Sequence, residues 1–423
     1  MTEQTQTKLV PKRRFKEFQN NYAWEKRHFF DNIKKTIDFR GRTPKKLGLN
    51  WSETGYLALS ALNVKNGYID PNADAHYGNQ ELYDKWMTGS ELKKGQVLFT
   101  TEAPMGNVAQ VPDDKGYILS QRTIAFDVDP GRITDDFLAV LLRSPKTFAE
   151  LSALSSGGTA KGVSQKSISQ LKVTVPTNLE EQTKIGAFFK NLDHLITLHQ
   201  CKLEKTKALK SAYLSEMFPA EEDELKPKRR FAGFTQTWEQ CKLSDVADYY
   251  DGTHQTPKYT EKGVKFISVE NIKSIQDSDK YISENDFEKQ FKIKPQVNDI
   301  FMTRITAGVI GDTALLEEDK PLAYYVSLAL IRPKSIVALY LEKYINSPFF
   351  KKELHKRIIH TAFPKKINLG DIGECGIKIP NSKKEQVQIG EFFKKMDNTI
   401  AIQQFKLEKL QNIKKAFLNE MFV

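Results

Sequence analysis

EEQTKIGAFFKNLDHLITLHQCKLEKTKALKSAYLSEMF, Glu180–Phe218, recurs as KEQVQIGEFFKKMDNTIAIQQFKLEKLQNIKKAFLNEMF, Lys384–Phe422, with about half its positions identical and no gap. Within the first copy, Phe189, Leu192, Ile196, His199, Leu203, Thr206, Lys210, Tyr213 and Met217 follow alternating three- and four-residue steps. In the second, Phe393, Met396, Ile400, Gln403, Leu407, Leu410, Lys414, Phe417 and Met421 do the same. Such spacing is a heptad seam with polar interruptions at matching places. Pro176 and Pro380 each close a strand-like run just before the repeat, which sets the helix starts. About 36 residues at about 1.5 Å rise make a rod of about 54 Å. Two arrangements fit: each helix lies along its own domain, or the two seams face each other. The narrow seam favours the second, and an internal two-fold then requires antiparallel helices, with His199 and Gln403 near the axis fixing register.

A second echo places PKRRFKEF, Pro11–Phe18, against PKRRFAGF, Pro227–Phe234, each followed by a tryptophan, Trp24 or Trp238. The 423-residue chain is thus two tandem copies of one plan, each long enough to bury its own core. No apolar run approaches the roughly 20 residues of a membrane helix, and the polar N-terminus lacks a signal-peptide core, so the chain reads as cytoplasmic. Cys201, Cys241 and Cys375 are widely spaced and form no CxxC pair, as expected of ordinary thiols.

Between the echoes the copies diverge but keep landmarks in order. Thr43-Pro44 answers Thr256-Pro257, the strand-turn around Gly106 answers that around Gly311, and Ser144-Pro145 answers Ser347-Pro348. Short β-branched runs such as GQVLFTT and NDIFMTRI alternate with helix-like DDFLAVLLRS and ALYLEKYINS, which is an α/β pattern. The expected organisation is an α/β domain with basic lead-in at 1–177 and a first repeated helix at 178–219. A charged linker and second lead-in follow at 220–237, then a second domain at 238–380 and a second repeated helix at 381–423.

Catalytic motifs are scarce. SSGGTAKGVS has glycine, lysine and serine in the wrong order for a P-loop, and nothing matches HExxH. His194/His199 and His355/His360 stand five apart, off a common helix face. Pro112-Asp113-Asp114-Lys115 resembles a fragment of a nuclease motif but falls where a hairpin turn is expected. No [DN]PP[YF] tetrapeptide is present for amino-group methylation.

The net charge of +11 is spread thinly: Met1–Tyr22 and Ala23–Thr177 each carry about +3, and Trp238–Pro380 about +1. Affinity for a polyanion must therefore come from local clusters. FRGRTPKK supplies Arg40, Arg42, Lys45 and Lys46; GGTAKGVSQKS supplies Lys161, Gln165 and Lys166; KKELHKRIIHTAFPKK ends in Lys365 and Lys366. Lys258, beside Thr256-Pro257, and Arg304, closing NDIFMTRI, complete the candidates. In such loops lysines and backbone amides hold phosphates, while Arg, Gln or Asn reaches base edges.

Together the duplicated helix, the repeated PKRRFxxF…W lead-in and the paired landmarks resemble the specificity subunit of type I restriction–modification systems over essentially the whole chain. The resemblance implies two tandem α/β target recognition domains, each reading half of a bipartite site in double-stranded DNA. They are separated by two long helices in an antiparallel coiled coil that docks two modification subunits. S-adenosylmethionine for adenine N6 methylation then belongs to those subunits. ATP and Mg²⁺ serve restriction subunits that translocate and cleave DNA, and this chain binds no cofactor itself. Two other readings stay open from the residues alone: the recognition partner of a type IIB-like nuclease, and a coiled-coil adaptor with no DNA role.

Overall fold

In the computed structural model, residues 9–20, 23–157, 161–219 and 225–423 are described; the Ala220–Glu224 part of the expected linker lies outside them. The chain divides into two compact units, Met1–Gln200 with Phe405–Val423, and Cys201–Gln404. The cuts fall inside the repeated helices, Leu179–Glu216 and Lys383–Glu420, rather than beside them.

The first unit centres on an antiparallel sheet with strands in the order Ile33–Asp38, Thr123–Val128, Val97–Thr100, Val108–Gln110. Successive strand side chains point to opposite faces, so this sheet serves two cores. Val97, Phe99, Ile124 and Phe126 face a helical layer, where they meet Phe137, Leu141 and Phe189. Leu98, Ala109 and Ala125 face a second, smaller sheet built on Tyr56–Leu59, which pairs parallel with Ile118–Leu119. Burial on both sides explains why VLFT lacks a polar alternation.

The second unit repeats this order with Ala247–Asp251, Leu328–Pro333, Ile300–Thr303 and Thr313–Leu315. Ile300, Met302 and Ile331 face its helical core; Phe301, Leu328 and Leu330 face its small sheet, where Val264–Ile267 pairs parallel with Leu322–Tyr324. The lead-ins differ in sequence, WEKRHFFDNI against WEQCKLSDV, yet fold alike. Glu25–His28 pairs with Lys172–Val175, and Glu239–Lys242 pairs with Gly376–Ile379. An Asp three residues on, Asp31 or Asp245, then caps the turn that follows.

Gly106 and Gly311 mark the equivalent tight turn, with φ of 91° and 90°. A Cβ there would lie 2.5 Å from Phe148 or from Leu354, so sterics and left-handed backbone both demand glycine. The landmark serines cap helices: Ser144 accepts from the Thr147 amide and Ser347 from the Phe350 amide, with proline at the next position.

Candidate nucleic-acid interface

The repeated sequence fixes a frame before any loop is placed. In the first unit Arg14 donates to both oxygens of Glu181 at 2.6 and 2.7 Å, and this carboxylate is 1% exposed. In the second, Arg230 grips Glu385 with the same two distances. The neighbouring arginine of each lead-in holds a helix end: Arg13 bonds Glu420 at 2.5 Å and Arg229 bonds Glu216 at 2.6 Å. Gln182 and Gln386, the next helical residues, each donate to the proline carbonyl that ends the preceding strand, Pro176 or Pro380. The PKRRF echo is therefore a clamp, a role its basic composition did not reveal.

Seam residues take the covered face of each helix. Phe189 is fully buried beside Phe422, and Phe188 meets Phe417 edge-on at 4.9 Å. In the second unit Phe393 stacks on Phe218 at 5.7 Å and Tyr213 meets Phe392 at 5.1 Å. Asp193 binds Arg143 and Lys414, both at 2.6 Å; Asp397 binds Lys343 at 2.7 Å and Lys210 at 2.5 Å. Lys343 and Lys210 hold the Asp397 carboxyl below its ordinary range against the burial that would raise it. In both units the paired numbers rise on one helix and fall on the other, so the packed segments run antiparallel. Leu192, Leu203 and Leu407 are buried; Ile196, His199, Met396, Ile400 and Gln403 are half-buried.

The basic loops of the first unit converge. Gln165 donates to Asp38 at 2.8 Å, and Arg40 lies 3.6 Å from the same carboxylate oxygen. The Arg42 guanidinium lies 4.4 Å over the Phe39 ring and donates to the Trp86 carbonyl. Lys46 donates to the Gly41 carbonyl at 2.6 Å, while Lys45, Lys161 and Lys166 are exposed. Gly158–Ala160 of that second loop lie outside the described residues. Beside the first loop opens a cavity of about 430 Å³ lined by Arg42, Lys45, Asn50, Trp51, His76 and Gln121. Asn50, Trp51, His76 and Gln121 were not singled out from sequence. A usable signal was length: ten residues separate Pro44 from Gly55, against five between Pro257 and Gly263.

In the second unit Lys258, Lys365 and Lys366 are exposed. Lys365 and Lys366 form a short strand paired with Thr306 and Ile305, beside a cavity of about 520 Å³ lined by Lys351, His355, His360 and Lys365. Arg304 departs from expectation. It is 8% exposed, donates to the carbonyls of Val326 at 3.0 Å and Ile367 at 3.4 Å, and pairs with Asp251 at 3.3 Å. Reaching a base would strand those buried partners, so Arg304 holds the loop rather than reading through it.

Asp113 accepts from the Tyr117 hydroxyl and pairs with Lys115, closing the expected turn on itself. Among the described residues, no group of three or more His, Cys, Asp or Glu is disposed to hold a metal ion. Nor is any helix among them long and apolar enough to cross a membrane.

Two α/β units of one topology, framed by one set of clamps and differing in their basic loops, define a duplicated recognition protein. Residues 24–208 and 235–412 match the type I restriction modification DNA specificity domain, and the chain belongs to that family. Its role in such systems is specificity rather than catalysis, and the readings as a type IIB-like partner or an adaptor are not favoured. The type I restriction enzyme MjaVIII specificity subunit of Methanocaldococcus jannaschii is 26% identical over 325 residues, covering 74% of this chain and 75% of that protein. The crystal structure of the S subunit of a type I restriction-modification system from M. genitalium superposes with a TM-score of 0.67 at 16% identity. That alignment covers 98% of this chain and 99% of the other, a likeness of fold.

Proposed function

We propose that the chain reads a bipartite site in double-stranded DNA, one half-site per unit, as the specificity subunit of a type I complex. The observation that carries this is sameness of frame with difference of contents. Strand order and buried clamps match between units, while the loops bearing Arg40, Arg42, Lys45, Lys46, Lys161, Gln165 and Lys166 differ from those bearing Lys258, Lys365 and Lys366. Exposed lysines in these loops suit phosphates, and the polar side chains around them suit base edges.

In this proposal the recognition domains span 1–177 and 238–380. The helical segments 178–219 and 381–423, joined through 220–237, set the gap between half-sites and dock two modification subunits. Those subunits bring S-adenosylmethionine and methylate adenine N6; restriction subunits bring ATP and Mg²⁺. The assembly works in the cytoplasm. Co-expression with the modification subunit followed by genome-wide mapping of N6-methyladenine tests the reading. A split motif is expected, and absence of new methylation refutes it. Charge reversal at Arg40, Arg42, Lys365 and Lys366 in the assembled complex lowers DNA affinity and flattens its salt dependence; unchanged, salt-insensitive affinity supports an adaptor instead.

A further inference from the structure

We propose that Phe363 is an apolar wedge that enters the base stack of the half-site read by the second unit, an inference that rests on the DNA-specificity reading above. Phe363 is 95% exposed, the most exposed large apolar side chain among the described residues. Its exposure is built in. Ile359 bridges Lys366, its amide donating to the Lys366 carbonyl at 2.8 Å, so residues 360–365 form a closed turn. Beneath that turn, Lys365 and Lys366 pair with Thr306 and Ile305, and fully buried Ile367 anchors the chain. Arg304 locks the base: its carbonyl accepts from the Ile367 amide at 3.0 Å while its guanidinium donates to the Ile367 carbonyl. A phenyl ring is thus held out on a fixed stem.

The surroundings select the occupant. Lys351–Lys366 contains six Lys or Arg and one acidic residue, Glu353, which is already paired with Lys356 and Arg357. Two exposed lysines follow the ring at a spacing of two and three residues. A duplex offers phosphates to the lysines and a π-stack to the ring, the pairing used by side chains that part a base step. In the first unit Ser156 bridges Gly162, and the intervening sequence, Gly-Gly-Thr-Ala-Lys, contains no aromatic residue. The wedge therefore belongs to one reader, and unstacking is confined to one half-site.

The test uses the complex of full chain and modification subunits, with duplexes carrying the motif obtained by methylation mapping. 2-Aminopurine replaces each purine of both half-sites in turn. Wild type is expected to raise fluorescence at one step in one half-site, apart from any signal at the methylated adenine. Phe363→Ala removes the step signal, spares the adenine signal and weakens binding about 5- to 150-fold, whereas Phe363→Trp retains both. Identical fluorescence in wild type and Phe363→Ala overturns the wedge. So does a loss in Phe363→Ala that is reproduced by replacing thymine with uracil without any step signal, which would mean a methyl contact. Weakened assembly with modification subunits at unchanged DNA affinity also overturns it, assigning the ring to a protein surface. A complex that yields no motif fails earlier and removes the specificity reading itself.

Discussion

Replacing Arg14 with Met leaves the Glu181 carboxylate, 1% exposed, without its bidentate partner. Removing one member of a buried ion pair costs about 3–5 kcal/mol, because the remaining charge is desolvated and unpaired. For a unit of this size each kcal/mol lowers Tm by about 2–4 °C, so the first unit melts roughly 6–20 °C earlier. Adding Glu181→Gln removes the stranded charge and keeps an acceptor for the Trp24 indole, which lies 3.4 Å from Glu181. Most of the loss is then recovered, since a neutral pair of similar volume is close to isoenergetic with the ion pair. Scanning calorimetry of the full chain measures the size. Hydrogen exchange locates it, with protection falling over residues 11–18 and 179–190 and holding over 227–234 and 383–394. A single variant that loses less than about 1 kcal/mol, or a double variant no more stable than the single, refutes the reasoning.

Burial and then the neighbouring carboxylates of Asp136 and Asp127 push the Asp135 carboxyl up to about 6. The folded state therefore binds this proton more tightly than the unfolded chain. The stabilisation is present below the ordinary carboxylate range and is lost as pH rises through about 6. With Asp135 partly exposed, Asp135→Asn raises stability by only on the order of 1 kcal/mol at pH 7.5, and the gain vanishes near pH 4 in urea melts at the two pH values. Gly311→Ala forces a Cβ against Leu354 at a φ of 90° and costs about 1–3 kcal/mol by denaturant unfolding. Arg304→Met destabilises the second unit by about 2–4 kcal/mol, yet the folded fraction keeps the wild-type salt slope in DNA titrations. Lys366→Glu does the reverse: Tm holds, and the slope of log affinity against log salt falls by about one or more.

The frame was legible because it is written twice. Matching Phe189 with Phe393, or Gly106 with Gly311, separates what the fold requires from what drifted, and the seam positions all lie on covered helix faces. The divided helices were not legible. Heptad spacing shows that a face is covered but does not say which unit's core each end completes. The loops were legible as charge but not as geometry. Arg304 and Lys366 both read as basic residues beside a turn, yet the partners that bury Arg304 come from Asp251, Val326 and Ile367, distant in sequence. Trp51 and His76 were missed for the same reason, since a cavity wall assembled from several loops leaves no periodic trace.

Met421 and Phe422, just past the second repeated helix, sit in the hydrophobic core of the first unit with Trp24, Phe137 and Phe189. Synthesis runs the other way. When the ribosome has finished residues 9–200, the earlier unit still lacks part of its interior, and it waits through the translation of the whole second unit. The long sequence separation of these contacts makes closure of that core a late event. A nascent or truncated chain ending before residue 405 would thus carry an unfinished first unit, whose core closes only after residues 405–423 have been made.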